Sequence, residues 1–209
     1  MIVKPVEVLD VIETKAYFYI DEQTKHGFLV DPAAEAEKLA DMIQKNGWTI
    51  EKMLITHGHF DHIGAVEFLH KQLNIPYLAH QNGRDYLQDD RLNLGDYCNR
   101  RFNLTEAEYV AEGDEIILTA DPKIRLQVIH TPGHTPDSVL YYDAANGTAF
   151  VGDTIFKDSY GATHFPGGDF VQLRSSIIQK VFALPENTVL YSGHSEPTTV
   201  GAEKANFGF

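Results

Sequence analysis

Three imidazoles and a carboxylate fall together in His57-Gly58-His59-Phe60-Asp61-His62. Imidazole and carboxylate are good ligands for a divalent ion, and a site that leaves coordination positions open lowers the pKa of bound water toward about 7. The motif lies between an apolar run at 53–56, which reads as a strand, and a helical face made by Ile63, Val66, Leu69 and Leu73. It therefore occupies a strand-to-helix loop, where the backbone can curl and point all four side chains inward. Three further candidates repeat that placement: His134 follows a strand at 124–130 across Thr131-Pro132-Gly133, Asp153 follows Val151-Gly152, and His194 follows Tyr191-Ser192-Gly193. Each lies shortly past an apolar strand, beside a glycine that lets the chain turn. Candidates at the same ends of several strands can converge at one rim. Cys98 is the only cysteine, so no intrachain disulfide can form, and a metal would have to be held by histidines and carboxylates.

The elements that must position these residues follow from periodicity and turn chemistry. Residues 1–12 alternate as a first strand, and 16–20 with 27–30 form a hairpin around 21–26. Asp31-Pro32 predicts a helix running to about residue 45, with Pro32 in its first turn, Ala36, Leu39, Ala40 and Ile43 on one face, and Gly47 as the stop. Residues 76–80 predict another strand, while 81–103, polar and without an apolar period, read as an insertion bordering the site. The second half is strand-dense, at 124–130, 138–143, 148–151 and 188–191, with Asn146-Gly147 as a hairpin turn. Asp169 with Gln172 predicts a capping box for a helix whose face is Leu173, Ile177, Val181 and Leu184. Together these predict an α/β fold, an αββα sandwich of two mixed β-sheets flanked by helices, in one domain over residues 1–209.

Composition excludes several classes. Apolar residues make up 43% and charged residues 22% of the 209-residue chain, so it is neither disordered nor repetitive. No apolar run approaches the roughly 20 residues that cross a bilayer, and residues 1–12 lack the continuous apolar stretch of a signal peptide. A cytoplasmic protein without a membrane partner is expected. A net charge of −13 disfavours nucleic acid, which needs a basic stripe, and leaves a small-molecule substrate as the expected partner. The other histidines carry less: His130 reads as hydrogen-bonding support, and His26, His70 and His80 as ordinary structural or surface residues. Tyr141 and Tyr142 read as strand neighbours facing opposite ways.

The order of these motifs resembles the metallo-β-lactamase superfamily and, within it, the compact glyoxalase II-like (hydroxyacylglutathione hydrolase-like) branch. Residues 56–64 resemble the family's metal loop. His130-Thr131-Pro132-Gly133-His134-Thr135-Pro136-Asp137-Ser138 resembles its second block and Gly152-Asp153-Thr154-Ile155-Phe156 its third. Ser192-Gly193-His194, with Thr198-Thr199-Val200-Gly201-Ala202-Glu203, resembles its last. The resemblance implies the metallo-β-lactamase fold and two divalent metal ions, zinc foremost, with iron or manganese as alternatives. It implies that His57, His59 and His134 hold one ion, that Asp61, His62 and His194 hold the other, and that Asp153 bridges them. The implied activity is hydrolysis of a thioester or related ester by a metal-bridging hydroxide, with Asp61 orienting that hydroxide and passing its proton to the leaving group.

The match departs in one loop. Glutathione-using relatives carry a basic residue shortly after the third block, and compact relatives show an Arg-Thr-Asp pattern there; this chain has Gly161-Ala162-Thr163-His164-Phe165-Pro166-Gly167-Gly168-Asp169. Ala162 stands for the basic residue and His164 for the acidic one, which puts glutathione in doubt; His164 is either a substrate contact or a solvated loop residue. The chain ends at Phe209, where full-length glyoxalase II enzymes continue into a helical substrate-binding domain, so a more open cleft is expected. Two other functions stand beside the hydrolase: a mononuclear iron persulfide dioxygenase, which the altered loop disfavours, and a non-catalytic metal-binding protein, for which a broken ligand set would be expected. β-Lactam hydrolysis is disfavoured because that branch is secreted, and RNA processing because the chain is acidic.

Overall fold

Residues 1–208 are described in a computed structural model; Phe209, the last residue of the expected domain, lies outside them. The first sheet contains β1 (Ile2–Leu9), β2 (Glu13–Ile20), β3 (His26–Val30), β4 (Thr49–Leu54), β5 (Tyr77–His80) and β6 (Glu108–Val110) in chain order, antiparallel over β1 to β3 and parallel from β3 to β6. The second sheet is built from β7 (Glu115–Ile117), β8 (Arg125–His130), β9 (Val139–Asp143) and β10 (Thr148–Gly152). After a short ribbon of β11 (Ile155–Phe156) and β12 (Ser159–Tyr160), it is completed by β13 (Val189–Ser192) and β14 (Thr198–Thr199). Its order is β14-β13-β10-β9-β8-β7, with β10 and β13 parallel and the other pairs antiparallel.

Strand alternation explains the layering, because successive side chains leave opposite faces. Tyr17 and Tyr19 of β2, Phe28 and Val30 of β3, and Tyr141 of β9 pack between the two sheets with Leu126, Val128 and Phe150. Their neighbours Phe18 and Leu29 turn the other way, onto α1 (Ala36–Asn46) through Leu39 and Ile43, α2 (Phe60–Ile63) through Ile63, and α3 (Val66–Leu73) through Val66 and Leu69. On the far side Leu140, Tyr142, Ala149 and Val151 meet Leu173 of α5 (Phe170–Ser176), the π-turn Ile177–Val181 and Val200 of α6 (Val200–Asn206). The order helix, sheet, sheet, helix is the expected sandwich, and Tyr141 and Tyr142 do face opposite ways. Among the described residues no helix is long and apolar enough to cross a membrane.

Three local expectations are corrected. The first helix starts at Ala36, five residues later than Asp31-Pro32 suggested, because Asp31 takes a left-handed conformation (φ 45°) and Glu35 another (φ 50°). Leu73 is exposed because it is the last residue of α3, where Asn74 turns left-handed (φ 55°) and ends the helix after the buried Val66 and Leu69. At α5, Asp169 accepts a bond from the Gln172 amide as predicted, but the reciprocal half of the box is missing: the Asp169 amide donates to the Gly133 carbonyl instead. The 81–103 segment holds one 3₁₀ turn (Gln81–Gly83) and the single turn α4 (Gly95–Cys98), and it packs beside the site through Tyr86 and Leu94.

Candidate metal centre

The sheets present their strand ends at one rim, and all seven predicted residues meet there. The loop after β4 supplies His57 and His59, and α2 supplies Asp61 and His62. His134, Asp153 and His194 arrive from the turns after β8, β10 and β13. Six of the seven are buried; His194 is the more open one. Close approach depends on glycine: a Cβ at Gly193 would sit 2.6 Å from both Asp153 Oδ1 and His62 Cε1.

His57 Nε2, His59 Nδ1 and His134 Nε2 form a triangle with sides of 3.0, 3.1 and 3.2 Å. A tetrahedral ion with bonds of about 2.0–2.1 Å to nitrogen spaces its donors roughly 3.3 Å apart, so the triangle fits one. The outer nitrogens fix the tautomers: His134 Nδ1 donates to the Ala162 carbonyl at 2.6 Å, and His57 Nδ1 faces Thr56 Oγ1 at 3.3 Å. Because Thr56 Oγ1 already donates to Asp31 at 2.7 Å, it accepts from His57, and both inner Nε2 atoms carry lone pairs.

The second group is carboxylate-rich. His194 Nε2 lies 3.1 Å from Asp61 Oδ2 and 3.4 Å from Asp153 Oδ2, and His62 Nε2 lies 3.3 Å from Asp153 Oδ1. His134 Nε2 is 3.7 Å from Asp153 Oδ2, so one carboxylate faces both groups. His62 Nδ1 donates to Asp31 at 2.9 Å and His194 Nδ1 to the Glu13 carbonyl at 2.9 Å, which again turns Nε2 inward. His62 Nε2 and Asp153 Oδ1 are buried without a hydrogen-bond partner. Buried donors and acceptors in that condition are rare, and inward-facing orphans among imidazoles and carboxylates fit a bound cation.

Charge follows the same division. Burial, reinforced by the neighbouring imidazoles, holds His57 well below the ordinary histidine range, and burial lowers His59 to about 3 and His134 below its usual value. Burial opposes protonation of His62 and His194 as well, yet Asp153 with Asp31 and Asp61 raises His62, and Asp153 with Asp61 carries His194 up to about 10. Against their own burial, Asp153 and Asp61 are held below the usual carboxylate range by His62 and His194.

Three residues belong to this site that sequence reasoning passed over. Asp31 accepts from the Thr56 amide, Thr56 Oγ1 and His62 Nδ1. Its position just past β3 is the signal that marked the other candidates, but the following proline suggested a helix start. Asp137 accepts from the Gly58 amide at 2.9 Å inside the loop after β4, and burial pushes its carboxyl up to about 6. Tyr86 donates to the Pro166 carbonyl at 2.6 Å, tying the 81–103 segment to the 161–169 loop. His130 supports that region as expected, facing the Pro136 carbonyl at 2.8 Å and stacking on His80, which proves buried. His164 is exposed and packs on Phe165, and it does not line the cleft, whereas Ala162 does.

The family profile described as "Metallo-beta-lactamase superfamily" matches residues 11–194. The chain belongs to the metallo-beta-lactamase superfamily. It is 37% identical over 196 residues to Probable metallo-hydrolase YqgX of Bacillus subtilis, covering 92% of this chain and 90% of that protein. It is 31% identical to Hydroxyacylglutathione hydrolase GloC of Haemophilus influenzae, covering 90% and 89% respectively. The solved structure of TTHA1623 in a di-iron-bound form matches with a TM-score of 0.85 at 30% identity, over 98% of each chain. The superfamily places this chain among metallo-hydrolases, and its fold binds divalent metals.

Proposed function

We propose that this protein is a dinuclear metal-dependent hydrolase that cleaves a thioester or related ester of a small molecule. His57, His59 and His134 would hold one ion, Asp61, His62 and His194 the other, with Asp153 shared. The observation that carries this reading is the convergence of seven inward-facing donors in two groups that meet at one carboxylate. Bound there, two divalent ions would supply Lewis acidity and an activated water at neutral pH. The protein's own groups do the positioning: Ala162, Asp31 and the Glu13 carbonyl hold three imidazoles in the orientation that presents Nε2. The Asp61 carboxylate, kept ionised by His62 and His194, would take a proton from the attacking water and return it to the leaving group. In the overall reaction water oxygen joins the acyl carbon, the bond to sulfur or oxygen breaks, and the released thiol or alcohol takes a proton.

The name of the Haemophilus influenzae relative supports thioester cleavage as the chemistry, and the di-iron neighbour names iron as the ion competing with zinc. The test is metal analysis of purified protein together with a thioester panel. Close to two equivalents of metal, with hydrolysis abolished by chelation and restored by zinc, is expected. One equivalent of iron with oxygen consumption on a persulfide would replace this reading with the dioxygenase one, and one ion or none without turnover would end it.

A further inference from the structure

The cleft over the candidate donors has an apolar wall assembled from separate segments. Ile12 comes from the β1–β2 turn, Phe60 from α2, Leu94 from the 81–103 segment, Phe156 from β11, and Ala162 with Phe165 from the loop after β12. The remaining lining residues are candidate donors, and no lysine or arginine is among them. The arginines of the 81–103 segment nearest Leu94 on either side are engaged: Arg91 pairs with Asp89, Arg100 with Asp10, and Arg101 with Asp90 and Asp96. The Arg100–Asp10 pair also ties the hairpin that carries Ile12 to the segment that carries Leu94. Ile12 is itself 46% exposed, so an apolar group arriving beside it removes surface from water.

A carboxylate seated against Ile12, Leu94 and Phe165 would shed hydration and meet no lysine or arginine there, whereas a methyl group in the same place would gain by burial. In the sequence the missing cation was a matter of one position, Ala162, beside the change at His164; the structure extends the point to the whole wall. Resting on the hydrolase reading above, we propose that the substrate is an uncharged ester or thioester whose acyl group bears an apolar chain seated against Ile12, Leu94 and Phe165. The same wall discriminates against acyl chains that end in a carboxylate.

The test compares p-nitrophenyl hexanoate with the p-nitrophenyl half-ester of adipic acid, in which a carboxylate replaces the terminal methyl, using metal-loaded protein. The hexanoate should be favoured in kcat/KM by about tenfold or more. Ile12→Arg, on an exposed turn outside the donor set, should narrow or reverse that ratio. Equal rates, or preference for the half-ester by the wild type, would overturn the inference while leaving the hydrolase reading intact. If neither ester is cleaved, the hydrolase reading is decided by the metal analysis and thioester panel above, and binding decides the inference separately. Methyl resonances of Ile12 and Leu94 should then shift with methyl pentyl ketone and not with its carboxylate-ended analogue. Unmoved methyls, or the opposite preference, would overturn it.

Discussion

The trio His57, His59 and His134 and the trio Asp61, His62 and His194 lie side by side around Asp153, yet their electrostatics run in opposite directions. In the first, burial removes protons from imidazoles that have no carboxylate of their own, so three neutral rings face one point. In the second, Asp153, Asp61 and Asp31 supply enough negative charge to keep His62 and His194 protonated against burial. A cation entering the first position meets free lone pairs. A cation entering the second must displace protons that already act as its substitutes. Two positions sharing a ligand can therefore differ in how pH controls their filling, because their immediate neighbours differ in charge.

The strongest way to break this comparison is to remove what the positions share. Asp153→Ala should lower metal content at both and reduce hydrolysis by more than about 100-fold, beyond the cost of losing an outer partner of a ligand. Full retention of either ion, measured by metal analysis after dialysis, would show that Asp153 does not join them. Next in size, His59→Ala and His194→Ala should each lose about one equivalent, the first from the three-histidine position and the second from the other. Loss of both ions in either variant would mean that the positions are not separable.

A finer probe is Asp31→Asn, which puts an amide where His62 Nδ1 needs an acceptor. Affinity at the second position should fall by about 10–100-fold with the three-histidine position much less affected, read by competition with a chromophoric chelator. The pH dependence probes the same contrast without a substitution. With His194 at about 10, each proton displaced makes affinity at the second position rise about tenfold per pH unit across the neutral range. The first position should show little such rise, because His59 is already deprotonated far above its value of about 3.

In metal-stripped protein the signs separate again. His59, lowered from 6.5, contributes stability that is present above about 6.5 and lost as pH falls toward about 3. His194, raised, contributes stability that is fully present below about 6.5 and lost as pH rises through about 10. Melting temperature against pH should thus lose its acid limb partly in His59→Asn and its alkaline limb partly in His194→Asn. An exchange of those two outcomes would refute the electrostatic contrast.

The sequence by itself determined the donor types, their repeated placement after strands, and the two-sided strands and one-sided helices that make an αββα sandwich. Those signals are local: a strand alternates with period two, a helix repeats every three or four residues, and a glycine marks a turn. Only the tertiary structure decided which ring nitrogen faces inward, since that depends on distant acceptors such as Ala162, Asp31 and the Glu13 carbonyl. Asp31 is the clearest case. Its sequence neighbour Pro32 argued for a helix, but parallel pairing of β3 with β4 sets Val30 against Leu54 and so brings Asp31 beside Thr56. The cleft wall was hidden for the same reason. Ile12, Leu94 and Phe165 carry no motif, and they become one surface only because separate loops fold over the rim where the strands end.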